Sequence, residues 1–431
     1  MQLSPPAPGA RGRLGAGICA LLASVTPAAA QNNEGTSSTQ FETAALVYGE
    51  QARVKVVEPM ARITRLWAGG ASVFAQFGLD VITGASPTGA TPSGTSTSSP
   101  PPELGVQTTT AASGGTGGSQ GPSPEAIPTA HFSDQRFGLD LGWTQPLGSH
   151  VMPSVGAHVS REKDYRSLGG DGSLALDLYH HRTTLTVGGS VDQDQVFPVG
   201  GIVVGLTDGT PSGFSTSDKR VTEALAGISQ VVSRRWLLGV SASQTRENGY
   251  LTEPYKVLSV VDAGGVPVSS LREKRPDTRL RNAVTLASVY HLTSDVLHAS
   301  YREYWDDWGV RSHTLDVALR HELDDERWIE PHVRAYTQSS ADFFRFSLNQ
   351  GAPLPEFASA DQRLGPLHSV TLGAAFGYRP PGSRGELTLR GEYLVQWGDG
   401  YPADAVGIQR EMDLMPPVNI GSLTLSYSVP L

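Results

Sequence analysis

The sequence predicts an all-β protein, a transmembrane antiparallel β-barrel of about sixteen strands, with about fourteen as the alternative count. Apolar and polar residues alternate along many segments, short connections alternate with long ones, and aromatic residues collect at segment ends. Alternation alone also suits a soluble sandwich, because strand side chains point to opposite faces in any sheet. Short periplasmic turns, long extracellular loops and aromatic girdles are instead typical of outer-membrane barrels.

The N-terminus has the features of a secretory signal. Two arginines precede a short apolar stretch, and small residues lead to a predicted cleavage between Ala30 and Gln31. The apolar stretch is too short for a membrane-spanning helix. We therefore expect export to the bacterial outer membrane. The expected organisation is a signal peptide at 1–30, a polar segment at 31–40 and the barrel at 41–431.

The stretch from Ser72 to Val81 illustrates the strand pattern. Its odd-numbered positions are all apolar, whereas Ser, Gln, Gly and Asp occupy even-numbered ones. The last strand repeats the pattern and is close to the signal that barrel-assembly machinery recognises, although its terminal residue is Leu431 rather than an aromatic one. We expect that machinery as a partner during insertion. The segment 220–232 alternates poorly, so its faces are not assigned.

The connections define two rims. The predicted short turns are 68–70, 146–149, 180–181, 233–235, 293–294, 323–326 and 380–383. The predicted long loops are 84–131, 161–172, 194–219, 247–278, 305–312, 339–365 and 398–419. Tryptophans lie beside both kinds of connection, at Trp67, Trp143, Trp236, Trp328, Trp305 and Trp397. This rhythm predicts that both chain ends lie at the periplasmic rim.

Residues 84–130 are rich in Ser, Thr, Gly and Pro. Such a composition does not bury enough apolar surface to fold by itself, which predicts a flexible extracellular loop within the barrel. The formal net charge of the chain is -9, so no basic excess is available to neutralise phosphates. Nucleic acid is therefore not an expected partner.

Five further stretches lie at 82–90, 249–256, 275–279, 301–315 and 336–344, and the fourth, YREYWDDWGVRSHTL, is the most specific. They resemble an uncharacterised family of predicted outer-membrane proteins, the domain-of-unknown-function 3570 family. The resemblance implies an outer-membrane barrel. It implies no biochemical activity, cofactor or catalytic residue.

Ionisable residues of both signs lie on the polar face of the predicted strands. They are Arg302, Asp316, Arg320, Glu330, His332, Arg334, Arg390 and Glu392. One hypothesis is that they line a water-filled pore, where arginines facing carboxylates screen solutes by charge and size. The other is a closed salt-bridge network that fills a narrow interior. The width of about sixteen strands favours the pore, unless loops fold inward.

A second group lies at the predicted extracellular rim: Asp306, Asp307, Trp308 and His313. Paired carboxylates with a histidine could activate water or bind a divalent cation. Asp-Asp-Trp-Gly is also a turn sequence, in which aspartate bonds the local backbone. The turn is the favoured interpretation because nothing else completes a site. No catalytic residue, metal or cofactor is therefore predicted.

A basic cluster lies near the extracellular end of a strand: Arg272, Lys274, Arg275, Arg279 and Arg281. Arginine and lysine bind lipopolysaccharide phosphates well, so one hypothesis is a lipid contact. The other is a solvated loop with Glu273 and Asp277 as partners.

The leading functional hypothesis is a porin-like passive channel for small solutes. The alternative is a surface-binding or envelope-assembly barrel that acts through its long loops, and a rim hydrolase comes third. Outer-membrane lipid and lipopolysaccharide are expected partners. A homo-oligomer is possible, although no strand predicts a subunit interface.

Overall fold

The computed structural model describes residues 37–51, 53–92 and 127–431. These contain a closed barrel of sixteen antiparallel strands and a separate three-stranded sheet. The prediction of sixteen strands is confirmed, and the alternative of fourteen is wrong. The signal peptide with its cleavage at Ala30 and Gln31, and most of the low-complexity insert, lie outside the described residues. No helix in the described part of the chain is long and apolar enough to cross a bilayer.

Each barrel strand pairs with the next barrel strand in the chain, and the last pairs with the first. The barrel strands are β1 (Ser38–Glu50), β2 (Val54–Leu66), β3 (Ser72–Pro87), β4 (Thr129–Thr144), β5 (Val151–Arg161), β6 (Tyr165–Leu178), β7 (Thr183–Val196), β8 (Ser217–Ser233), β9 (Trp236–Gly249), β12 (Thr278–His291), β13 (Asp295–Asp306), β14 (Arg311–Glu322), β15 (Arg327–Gln338), β17 (Leu367–Tyr378), β18 (Glu386–Gly398) and β19 (Val418–Pro430). The remaining strands are β10 (Val257–Val261), β11 (Pro267–Arg272) and β16 (Ser347–Asn349).

The outer wall of the barrel is apolar. Val73, Phe77 and Leu141 are 40%, 41% and 48% exposed, and they alternate with inward-facing side chains on the same strands. Exposed apolar surface of this extent around a closed barrel suits the hydrocarbon core of a bilayer rather than water. Exposed tryptophans lie near both rims, at Trp143, Trp236, Trp305 and Trp397. Trp328 departs from the predicted girdle, because it is buried on the inner face beside Gly377.

Connections at the short-turn rim follow the prediction, whereas those at the long-loop rim vary in length. The predicted loop 161–172 is only the turn 162–164, and the stretch after it is β6. Its Ser and Gly content resembles a loop, but its inward-facing glycines make room for side chains of neighbouring strands. A Cβ at Gly169 would overlap both His158 and Asp192, which pair across it. The loop 305–312 is likewise shorter, at 307–310.

The poorly alternating segment 220–232 lies within β8. Its inward face carries the buried Val221 and Leu225, while Arg220 and Thr222 face outward near the long-loop rim. The inner and outer faces therefore change polarity along the strand, which explains why the pattern gave no orientation.

Candidate functional site

The eight predicted pore-lining residues all lie on the inner face of β13, β14, β15 and β18. Asp316 pairs in register with Arg334 on the neighbouring strand. His332 pairs with Gly373, which in turn pairs with Glu392 on the strand beyond. Their neighbours Leu315, Val333 and Leu372 point outward and are 51%, 41% and 61% exposed. The structure thus brings the eight together on one side of the interior.

Six of these residues form a continuous chain of charged contacts, called here the ion-pair chain. Arg334 Nε donates to Asp316 Oδ2 at 2.6 Å, and His332 Nε2 lies 3.1 Å from the same oxygen. The other ring nitrogen of His332 lies 3.4 Å from Glu392. Arg390 completes the chain, 3.5 Å from Glu392 and 2.8 Å from Glu330.

The remaining two residues lie apart from this chain. Arg320 bonds Glu322 at 2.9 Å and lies over the ring of Trp328 at 4.0 Å. Arg302 is exposed on the inner face and forms no ion pair with any described residue. Its guanidinium is therefore available to solutes in the lumen.

The ion-pair chain lies along the wall rather than across the lumen. Its members come from neighbouring strands, and Arg334 and Arg390 keep 38% and 36% of their side chains exposed. A sixteen-stranded barrel is about 30 Å across between opposite backbone walls, from the strand spacing and tilt. Such a chain therefore narrows the interior without filling it.

The opposite wall, from β3 to β9, is acidic, and it was missed from the sequence. Its inward-facing carboxylates are Asp80, Asp134, Asp140, Asp171, Asp177, Asp192, Asp194, Glu223 and Glu247. Among the described residues of these strands, only Arg136 and Lys219 carry a fixed positive charge on the inner face. From β12 to β18, by contrast, the inner face has arginines and carboxylates in similar numbers. The register of β6 and β8 is needed to see this wall, because the sequence predicts a loop for the first part of β6 and no orientation for β8.

Loops at the long-loop rim fold together into one body, called here the cap. It consists of 88–92, 197–216, 250–277, 339–366 and 399–417. β10 is its central strand and pairs with β11 on one side and β16 on the other. Leu258, Leu348, Ala358 and Ala360 form its buried apolar centre.

The cap extends across the mouth of the barrel. The loop 250–277, which leaves the barrel between β9 and β12, reaches loops on both sides of the circumference. Val257 N donates to Thr88 O at 2.9 Å, next to β3, and Ile408 N donates to Gly264 O at 2.9 Å, between β18 and β19. These partners lie far from β9 and β12 in the strand order. One loop therefore bridges the mouth, which is the inward folding of loops that the sequence analysis left open.

A buried charge cluster holds two cap loops together. Arg275 contacts Glu273 at 2.6 Å and Asp361 at 2.8 Å, and Arg363 also pairs with Asp361. Burial raises the pKa of the fully buried Glu273. Burial acts in the same direction on Asp361, but Arg363, Lys256 and Arg275 hold the pKa of its carboxyl well below its usual range. The cluster therefore joins the loop 250–277 to the loop 339–366.

The predicted lipopolysaccharide cluster does not face lipid. Arg272 and Arg275 are buried within the cap, and the exposed Lys274 lies over the ring of Phe357. Arg279 and Arg281 face the interior, where they pair with Asp306 at 2.5 Å and Glu247 at 2.8 Å. The alternation of side chains along β12 directs Arg279 and Arg281 inward, and their position near the rim alone does not reveal this direction.

The rim group forms a turn, and its members do not all lie on the same face of the barrel wall. Asp306 faces inward and accepts bonds from Tyr304 Oη, Trp308 N and Val310 N, besides Arg279. Asp307 accepts from Leu280 N at 2.8 Å, and the buried Trp308 packs on Phe343. His313 is on the outer face, with Nδ1 2.7 Å from Tyr301 Oη. The barrel wall thus separates Asp306 from His313, so they do not form one catalytic or metal site.

A different acidic group was missed from the sequence. Oxygens of Asp134, Glu162 and Asp164 lie within 4.8 Å of one another at the turn between β5 and β6, close enough to share a metal ion. Tyr255 Oη from the cap donates to Asp164 at 2.6 Å. Burial, reinforced by Asp134, raises the pKa of Glu162 to about 8. A proton held by Glu162 relieves the repulsion between the three carboxylates.

We expect Glu162→Gln to stabilise the protein at high pH only. The pKa of Glu162 is raised from 4.5 to about 8 in the folded protein. Between these values the carboxyl stays protonated in the folded protein but ionises in the unfolded chain, so the stability of the folded state falls as pH rises. The melting temperature of the variant should match wild type at about pH 4 and exceed it by a few degrees at about pH 9. Glu356→Gln, at an exposed loop position, is the control. Equal melting temperatures at high pH would contradict the expectation.

A family model described as "Protein of unknown function (DUF3570)" matches residues 12–429. A search of curated proteins finds no match.

Solved barrels resemble the chain in fold. The outer membrane protein opdK from Pseudomonas aeruginosa has 8% identity and a TM-score of 0.39, with 92% of this chain and 99% of that chain covered. The TodX deltaS2S3 mutant monoaromatic hydrocarbon channel has 10% identity and a TM-score of 0.38, with 92% and 91% covered. A mutant of the ferric enterobactin receptor PfeA from Pseudomonas aeruginosa has 11% identity and a TM-score of 0.40, with 85% and 54% covered. The chain thus spans about half the length of that receptor.

Proposed function

The chain belongs to the DUF3570 family of proteins of unknown function, and we propose that it is a passive channel of the bacterial outer membrane for small solutes. The observation that carries this proposal is the wide, charged interior. Arg302, Arg334 and Arg390 are exposed to the lumen on one side, opposite the acidic wall. Where side chains fill the lumen of a barrel, charged side chains on its inner face are not expected to remain exposed to solvent.

The unequal distribution of charge supports selection between solutes. One wall is acidic, while the other holds arginines paired with carboxylates, so a field points across the lumen. A cation in the lumen is attracted by the acidic wall, and an anion is repelled by it. We therefore expect the channel to prefer cations.

The cap supports size selection at the entrance. It bridges the mouth, so solutes must pass between the cap and the wall or wait for cap loops to move. Loops placed in the mouth of a barrel commonly set its narrowest point.

Planar bilayers test the proposal. The purified barrel, shown to be folded by a heat-modifiable band on gels, is expected to insert with stepwise increases in current. A folded, inserted barrel that carries no current would refute the channel. The same outcome would favour a surface-binding barrel, because the cap has its own sheet and buried apolar centre on the exposed side.

A further inference from the structure

Four arginines on the outer wall form a row near the long-loop rim, called here the outer arginine row. They are Arg161 at the end of β5, Arg166 on β6, Arg220 on β8 and Arg246 on β9, and all four are exposed. Strand alternation defines their direction. Arg220 follows the buried, inward-facing Lys219, and Arg246 precedes the buried, inward-facing Glu247.

The row carries a net positive charge, because Asp218 is the acidic residue of the same surface and the carboxylates of Glu162 and Asp164 in the adjoining turn lie with Asp134, an inner-face residue. Within the part of the chain that the structure describes, none of the four arginines forms an ion pair. Arg161 and Arg166 are direct cross-strand partners, and like charges in that arrangement destabilise a sheet. The exposed Lys163 in the turn between them adds to the charge. An anion bound between these side chains would remove this repulsion.

Amide side chains fill the surface between the arginines. Arg220 pairs in register with Gln193 on one side and Asn248 on the other, and Arg246 Nε donates to Asn248 Oδ1 at 3.4 Å. Gln195 bonds Asp218, the acidic residue of this surface, at 3.2 Å. Guanidinium and amide groups together suit a phosphorylated sugar, which offers both phosphate oxygens and hydroxyl groups.

The apolar band begins directly beside the row. Val159, Leu168 and Val191 are outward-facing and 41%, 64% and 43% exposed. Val159 is two residues from Arg161, and Leu168 is two from Arg166, so the apolar surface lies about 7 Å along the strands from each charge. A ligand held by the row therefore has hydrocarbon-compatible surface next to its charged end.

We propose that the outer arginine row binds the phosphates of a phosphorylated glycolipid, the lipid A part of lipopolysaccharide, in the leaflet around the long-loop rim. Arginine is suited to bidentate phosphate binding, and basic side chains at the membrane surface attract anionic lipid. The adjoining apolar band accommodates acyl chains, which free phosphate lacks. Lipid contact thus lies on the wall of β5 to β9, and not on the cluster at 272–281 that faces the cap and lumen.

The test compares two quadruple variants that remove the same charge. The first carries Arg161→Gln, Arg166→Gln, Arg220→Gln and Arg246→Gln. The control carries Arg65→Gln, Arg182→Gln, Arg234→Gln and Arg235→Gln, at exposed positions near the opposite rim. Full-length barrels in detergent are titrated with bis-phosphorylated lipid A, with dephosphorylated lipid A and with inorganic pyrophosphate, and binding is followed by native mass spectrometry.

Wild type is expected to bind bis-phosphorylated lipid A at least about tenfold more tightly than the dephosphorylated form. The first variant should lose most of that preference, and the control variant should keep it. The wild-type comparison needs no variant to fold. Equal binding of the two lipids, equal loss in both variants, or displacement by equimolar pyrophosphate overturns the proposal.

Discussion

Replacing residues 257–272 with a short Gly-Ser linker is expected to raise single-channel conductance by on the order of tenfold. This segment contains β10 and β11, and β10 is the central strand of the cap sheet. Its removal takes away Leu258 from the apolar centre and leaves β16 without its partner strand. The change also removes the contacts of Val257 with Thr88 and of Gly264 with Ile408, which carry this loop across the mouth.

The barrel itself should survive this change. Its sixteen strands pair only with one another, and the cap strands form a separate sheet. The heat-modifiable band on gels checks folding, and Val268→Ser, at an exposed cap position, serves as a control with conductance close to wild type. A folded linker variant that conducts no better than wild type would show that the cap does not limit passage.

The second large effect is expected on ion selectivity. Wild type should prefer potassium over chloride, and Asp171→Asn combined with Glu223→Gln should reduce that preference by about a factor of two or more. Both residues face the lumen from the acidic wall, each paired in register with Ser190. Their loss removes two of the charges that attract cations.

The matched control removes charge of the opposite sign. Arg334→Gln with Arg390→Gln on the facing wall should shift the preference further towards cations. Reversal potentials in a salt gradient measure both variants. Shifts in the same direction for the two variants would contradict a charge-selective lumen and indicate a change in pore shape instead.

The inner-face residues were largely predictable from alternation. Arg334 and Glu392 were assigned to the polar face of their strands, and the structure places both inside. Alternation does not give register, however, so the path from Asp316 through His332 to Glu392 required the paired strands. The acidic wall cannot be recognised in the sequence for a related reason. Inward-facing glycines of β6, such as Gly169, look like loop residues until the side chains that cover them are known.

The prediction of about sixteen membrane-crossing strands came from the sequence alone, because the alternation of side chains between two faces is a local property of each strand. The tertiary structure alone decided what happens at the mouth and around the wall. The cap depends on contacts such as Arg275 with Asp361, which are 86 residues apart in the chain. The direction of each rim arginine depends on register, because a shift of one residue turns a side chain from lipid to lumen. Neither kind of information is present in a local pattern.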